Sequence, residues 1–386
     1  MVFLLTCAFC QAATGNVWTG TWAAAAEYTG QGDMPKSPLT DRSLREIVRV
    51  SIGGEKVRVT LSNEFSSSPL KIRSVFIADA ADSCDIRPAT AKYLTFDKKR
   101  AVTVAAGQSV RSDAVNYRLR PLQRLAVTIC YGDETPEHAT SHRGSRTTSY
   151  IISGEARPKT SFAQGERVDH WYGISAIDVL SDAGSIAIIG NSITDGRGST
   201  VNAQNRWPDV MSSVLQKNGV SMGVLNLGIG GNSVYYGGLS EPACKRFDRD
   251  ILCQANVKYV IIYEGVNDLG SADKDAEQRA YKLIEIYQEM IRKCHDRGIK
   301  VIGATIMPFG KSFYEDHFKD AARQYVNQWI RTSGAYDAVI DFDALLRDTD
   351  NPQCLQQPYQ EDWLHPNAAG YARMGRFAAE ELMKVL

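Results

Sequence analysis

Four short blocks in the chain carry residue types that nucleophilic chemistry on an acyl group would need. Gly190-Asn-Ser-Ile-Thr-Asp-Gly196 sets Ser192 among small residues. At the end of a strand and the start of a helix, such a serine is exposed beside backbone N–H groups that favour negative charge. Serine is also a common cap at such turns, so the block alone decides little. It is not the G-x-S-x-G elbow, because Thr194 occupies the place of the second glycine. Asn226-Leu-Gly-Ile-Gly-Gly-Asn-Ser233 offers the backbone N–H of Gly231, and Glu264-Gly-Val-Asn-Asp268 offers the side-chain amide of Asn267. Two such donors aimed at one point would make an oxyanion hole. In Asp362-Trp-Leu-His-Pro366 a carboxylate and an imidazole lie three residues apart. Asp362 can then orient His365 through Nδ1 and leave Nε2 to take a proton from serine.

The elements that must position these blocks are legible from periodicity. After Ser185, short apolar runs at 186–189, 224–227, 259–263, 301–306 and 339–342 alternate with amphipathic stretches at 207–217, 276–297, 318–332 and 368–385. Strands alternating with helices of this length predict a doubly wound parallel α/β sheet, in which ligands bind beyond the carboxyl ends of the strands. The first three blocks follow the first three apolar runs, and the fourth precedes the last helix.

Together the four blocks resemble, in order and spacing, those of the SGNH/GDSL hydrolases. That resemblance spans roughly Ser185 to the C-terminus. It implies a flavodoxin-like α/β/α domain with no metal or organic cofactor, Ser192 as nucleophile, and Asp362 and His365 as the rest of a triad. It also implies that the Ser192 N–H, Gly231 and Asn267 bind the oxyanion. One departure is Asn191, which stands where the family usually has Asp. That position is not the nucleophile, so activity is expected to survive the change.

The first half reads as β. Val48, Val50 and Ile52 alternate with polar residues before Gly53-Gly54, and Val57, Val59 and Leu61 alternate after it. That pattern predicts a hairpin. Further apolar runs at 70–78, 101–104 and 125–131 extend an all-β, sandwich or jelly-roll-like module. The boundaries expected are a leader over 1–13, the β module over 14–178 and the hydrolase domain over 179–386. Trp18-Thr-Gly-Thr-Trp22, Arg45-Glu-Ile-Val-Arg-Val50 and Leu61-Ser-Asn-Glu64 resemble the β module of a secreted subgroup of these enzymes. Members of that subgroup are linked to deacetylation of plant polysaccharides.

The leader expectation rests on an apolar run of about ten residues, followed by Ala12 and Ala13, too short to span a bilayer. It implies a secreted or periplasmic protein with no membrane span. Six cysteines follow it, without zinc spacing, and Cys244–Cys253 is the favoured local bridge. Forty-four basic residues balance forty-four acidic ones, which gives no electrostatic reason to expect nucleic acid. The expected partner is a small-molecule or polysaccharide ester, O-acetylated carbohydrate before all. A lipid or aryl ester is the alternative, and a non-catalytic glycan-binding protein a third reading. Tyr235, Tyr236 and Trp363 are the candidate substrate contacts, Trp207 reads as core, and the polar segment 138–150 reads as a solvated loop that could otherwise reach the site.

Overall fold

The computed structural model describes residues 16–81, 84–235 and 237–386. The expected leader and Tyr236 lie outside the described residues.

Residues from Gly184 onward build a five-stranded parallel sheet. Its strands are Gly184–Gly190, Met222–Gly228, Val257–Tyr263, Lys300–Ala304 and Ala338–Ile340, arranged in the spatial order second, first, third, fourth, fifth. This is the flavodoxin-like order, with its switch point between the first and third strands. The strands are continuous apolar runs because helices cover both faces. Ile186, Ile188, Val260, Ile261 and Val301 are all without measurable exposure. The principal helices are Trp207–Lys217, Ala276–His295, His317–Thr332 and Ala368–Met383. Trp207 is fully buried in this core. Phe342 is not strand, as periodicity suggested, but opens a short helix, because the Asp341 side chain accepts from the Ala344 N–H and caps it.

The N-terminal half is a module of antiparallel sheets, with two larger sheets of five and seven strands and a small three-stranded one. Its core joins inward residues of both large sheets, among them Leu44, Val48, Val57, Val59, Val127 and Ile177. The expected hairpin across Gly53-Gly54 does not form. Arg42–Arg49 pairs with Arg124–Tyr131 in the larger sheet, whereas Gly54–Ser62 pairs with Ile174–Ser181 in the other. The glycine pair carries the chain from one sheet to the other. A Cβ on Gly53 would lie 2.4 Å from the Leu119 carbonyl oxygen, so only glycine passes there. Alternation is the same on both sides of an arch and of a hairpin, which is why it did not separate them.

The strand Ile174–Ser181 closes the module, and Asp182 and Ala183 lead directly into the parallel sheet. The two halves are bonded to each other. Gly20 N donates to Ala255 O at 3.1 Å, Ser51 Oγ accepts from Val224 N at 2.9 Å, and Arg49 donates to Ser213 Oγ at 3.0 Å. Cys244 and Cys253 are not bridged. Cys244 packs against the core and Cys253 is exposed, so their side chains occupy different environments.

Candidate active site

The first strand ends at Gly190, and Asn191 caps a single helical turn, Ser192–Asp195. Asn191 Oδ1 accepts from Ile193 N at 3.1 Å, while its Nδ2 donates to Glu264 Oε2 at 3.1 Å. That second bond accounts for an amide at this position. Glu264 is fully buried, and burial pushes its carboxyl up to about 8, with Arg246 only partly opposing this and Asp268 adding to it. An amide can donate to Glu264 in either protonation state.

The end of the chain brings a loop to the same point. Asp362 Oδ2 lies 2.8 Å from His365 Nδ1, and His365 Nε2 lies 2.9 Å from Ser192 Oγ. Asp362 also accepts from the backbone N–H groups of Leu364 and His365 at 3.1 and 2.8 Å, which fixes the turn. Trp363 adopts φ +64°, a left-handed conformation that tightens the turn so that residues 362 and 365 face each other. Burial disfavours charge on His365 and holds its pKa below 6.5, although Asp362 opposes the shift. Asp362 is held below the ordinary carboxylate value: burial works against this, and the bonds from His365 outweigh it. At neutral pH the arrangement is therefore a carboxylate, a neutral imidazole and a hydroxyl in line.

Asn267 sits on the short helix after the third strand. Its Oδ1 accepts from the Tyr314 hydroxyl at 3.1 Å, and its Nδ2 donates one hydrogen to Asn232 O at 2.6 Å, so that the amide cannot flip without losing both. The loop that carries Gly231 is tied down by Asp268, which accepts from the N–H groups of Val234 and Tyr235. Ser192, Gly231, Asn267 and His365 all line one cleft of about 870 Å³.

Two of the expected substrate contacts are not on that cleft wall. Tyr235 packs half-buried against the α/β core, held by its backbone bond to Asp268. Trp363 presents its ring to the Lys311 ammonium at 4.5 Å. The aromatic lip is formed instead by Phe313, 73% exposed, its ring tilted against that of Tyr314 with centroids 4.3 Å apart. Sequence offered only a weak signal for it: two adjacent aromatics after the fourth strand.

The β module supplies a whole wall. Glu27, Asp33, Arg143, Gly144, Arg146 and His170 line the cleft. Segment 138–150 is thus no solvated loop. Thr140–His142 is a strand of the three-stranded sheet, and most residues from 139 to 150 are buried.

A flavodoxin-like sheet with a hydroxyl, an imidazole and a carboxylate at its strand ends defines an α/β/α hydrolase class. Residues 188–373, a little under half the chain, match the sequence profile of the GDSL-like lipase/acylhydrolase family, and this part of the chain is a domain of that family. The protein is accordingly a carboxylic ester hydrolase by class. Similar solved structures include a GDSL-like lipase from Bacteroides thetaiotaomicron, 20% identical, matched over 52% of this chain and 89% of that one at a TM-score of 0.40. An acetyl xylan esterase is 22% identical over 52% of this chain and 99% of its own, with a TM-score of 0.39. A catalytic mutant of an acetylxylan esterase from Geobacillus stearothermophilus is 17% identical over 52% and 94%, with a TM-score of 0.40. Curated proteins give no match to the chain.

Proposed function

We propose that the protein is a serine esterase that removes acetyl groups from O-acetylated carbohydrate through an acyl-enzyme. The observation that carries the reading is the unbroken line Asp362–His365–Ser192, with contacts of 2.8 and 2.9 Å, opening on the cleft. His365 Nε2 takes the Ser192 proton as Oγ attacks the ester carbonyl carbon. Asp362 stabilises the imidazolium that results. The oxyanion is received by the N–H groups of Ser192 and Gly231 and by the second hydrogen of Asn267 Nδ2. Each such donor contributes about 3–4 kcal/mol in comparable sites. The tetrahedral intermediate collapses, and His365 returns the proton to the departing sugar hydroxyl. Water, deprotonated by His365, then releases acetate from Ser192 by the reverse sequence.

The carbohydrate part of the reading is supported by the cleft's chemistry. Its walls carry carboxylates, guanidinium groups and imidazole, and among the described residues the apolar side chains lining it are Leu239, Leu364 and the Phe313–Tyr314 lip. A long acyl chain needs a continuous apolar groove. A sugar needs polar partners and an aromatic face. On the expected leader, the enzyme acts outside the cytoplasm, secreted or periplasmic.

The test is acetate release from acetylated xylan and from a short aryl acetate, wild type beside Ser192→Ala. Release from both substrates, abolished by the substitution, is the expected result. Release from the aryl ester alone would remove the polysaccharide reading. Unchanged release by Ser192→Ala would overturn the mechanism.

A further inference from the structure

The turn that carries Ser192 is four residues long, and so short a helix contributes little hydrogen bonding of its own. Its beginning is fixed by the Asn191 cap. Its end, Asp195, is 1% exposed and takes no part in the proton relay. Among the described residues, the hydrogen bonds that its carboxylate receives come from the β module. His142 Nε2 lies 3.0 Å from Asp195 Oδ1, and Arg146 donates to Oδ2 at 2.8 Å. Gly144 lies flat against the same carboxylate, so close that a Cβ there would fall 1.9 Å from Oδ2.

Both nitrogens of His142 face acceptors. Nδ1 lies 3.1 Å from Ala25 O and 3.5 Å from Glu27 Oε1, and Nε2 faces Asp195. An imidazole between acceptors on both sides satisfies them only when both nitrogens carry protons. The ring is 3% exposed and stacked on Trp171, whose other neighbours include the Arg206 guanidinium at 5.7 Å. The remaining charged and titratable groups around it are Arg146 on the far oxygen of Asp195, Arg143 on Glu27, and His170, whose pKa burial lowers.

We propose that the β module is a working half of the active site: an imidazolium at His142, together with Arg146, positions the nucleophile turn by clamping Asp195. The proposal rests on the serine-esterase reading of Ser192. His142 and Arg146 are positioning residues, since neither contacts the reacting atoms. Burial opposes charge on His142, but the bond and charge of Asp195, with Glu27 behind, leave its pKa above 6.5. Loss of that proton as pH rises leaves Nδ1 or Nε2 facing a carboxylate or carbonyl without a hydrogen, and the clamp loosens. The activity profile therefore gains an alkaline limb that does not belong to the triad.

Three variants of the full chain test this with an aryl acetate: His142→Gln, Arg146→Gln and Gly144→Ala. Gly144→Ala leaves every charged group in place and only pushes on Asp195. Each is expected to lower kcat by about 10- to 100-fold, the scale of a nucleophile displaced by about an ångström, with KM little changed. His142→Gln is further expected to flatten the alkaline limb. Tyr117→Phe removes a hydroxyl that bonds Asp79 elsewhere in the module and is expected to keep wild-type kcat. Should His142→Gln not fold, Arg146→Gln and Gly144→Ala carry the same test. Wild-type kcat in both, with an alkaline limb unaltered, overturns the clamp. Ser192→Ala is run beside them: if it is inactive while the clamp variants are normal, only the clamp fails, and if it is active, the esterase reading itself fails.

Discussion

The turn Ser192–Asp195 is held between two equally buried histidines whose hydrogen-bond partners differ. His365, from the α/β domain, opens on the cleft and contacts one carboxylate through Nδ1, and its other nitrogen meets a hydroxyl. Burial keeps it neutral near pH 7. His142, from the β module, faces acceptors on both sides, and two carboxylates outweigh its burial. The difference shows how partners set the job of an imidazole. A donor on one side and an acceptor on the other make a base, while acceptors on both sides make a fixed cation.

The comparison can be broken most severely at the base. His365→Ala is expected to lower kcat by about 10⁴-fold or more, against the one to two orders expected at His142. Equal losses at the two sites in steady-state assays would erase the distinction. Asn267→Ala is expected to cost about 10²- to 10³-fold in kcat, because its amide is locked in place by Tyr314 and Asn232.

The pH dependence sharpens the contrast. His365 must be neutral to accept a proton, so kcat/KM should fall with acid only below pH 6.5, as pH drops through its lowered pKa. The raised pKa of His142 works in the other direction. Its stabilisation is complete below the unfolded value and is lost as pH rises through the folded one. The unfolding temperature of the wild type should therefore fall on the alkaline side, and His142→Gln should remove that part of the slope.

Smaller effects are expected behind and in front of the turn. Asn191→Asp sets a second carboxylate against Glu264, whose pKa is about 8. Above that pH the variant should lose about 1–3 kcal/mol in denaturant unfolding, and less at pH 6, where Glu264 keeps its proton. Phe313→Ala should raise KM for acetylated xylan by a few-fold, about 0.5–1.5 kcal/mol of ring contact, and leave the aryl acetate unaffected.

The parallel sheet and the four blocks at its edge were legible because each depends on local pattern: apolar runs, a glycine-rich turn, a carboxylate three residues from an imidazole. What escaped depends on long-range geometry. His142 and Asp195 are 53 residues apart, and nothing near either names the other. The run of arginine, serine and threonine around His142 resembles solvated chain, yet several of its polar groups are spent on buried bonds, among them Gln204 to Thr147 and Ser145 Oγ to the Thr147 carbonyl. A surplus acid at the end of the nucleophile turn was the one clue. Tyr235 and Trp363 were misread for a related reason. Proximity in sequence to a reactive block fixes where a backbone passes, and packing decides which way the ring turns.

The central claim, that Ser192 is the nucleophile, is tested most directly by covalent trapping. A fluorophosphonate probe is added to the wild-type protein at neutral pH, and intact mass and peptide mapping follow. One adduct per chain on the peptide containing Ser192, absent from Ser192→Ala and formed much more slowly in His365→Ala, is the result expected. No adduct, or an adduct on another residue while Ser192 stays unmodified, would contradict it.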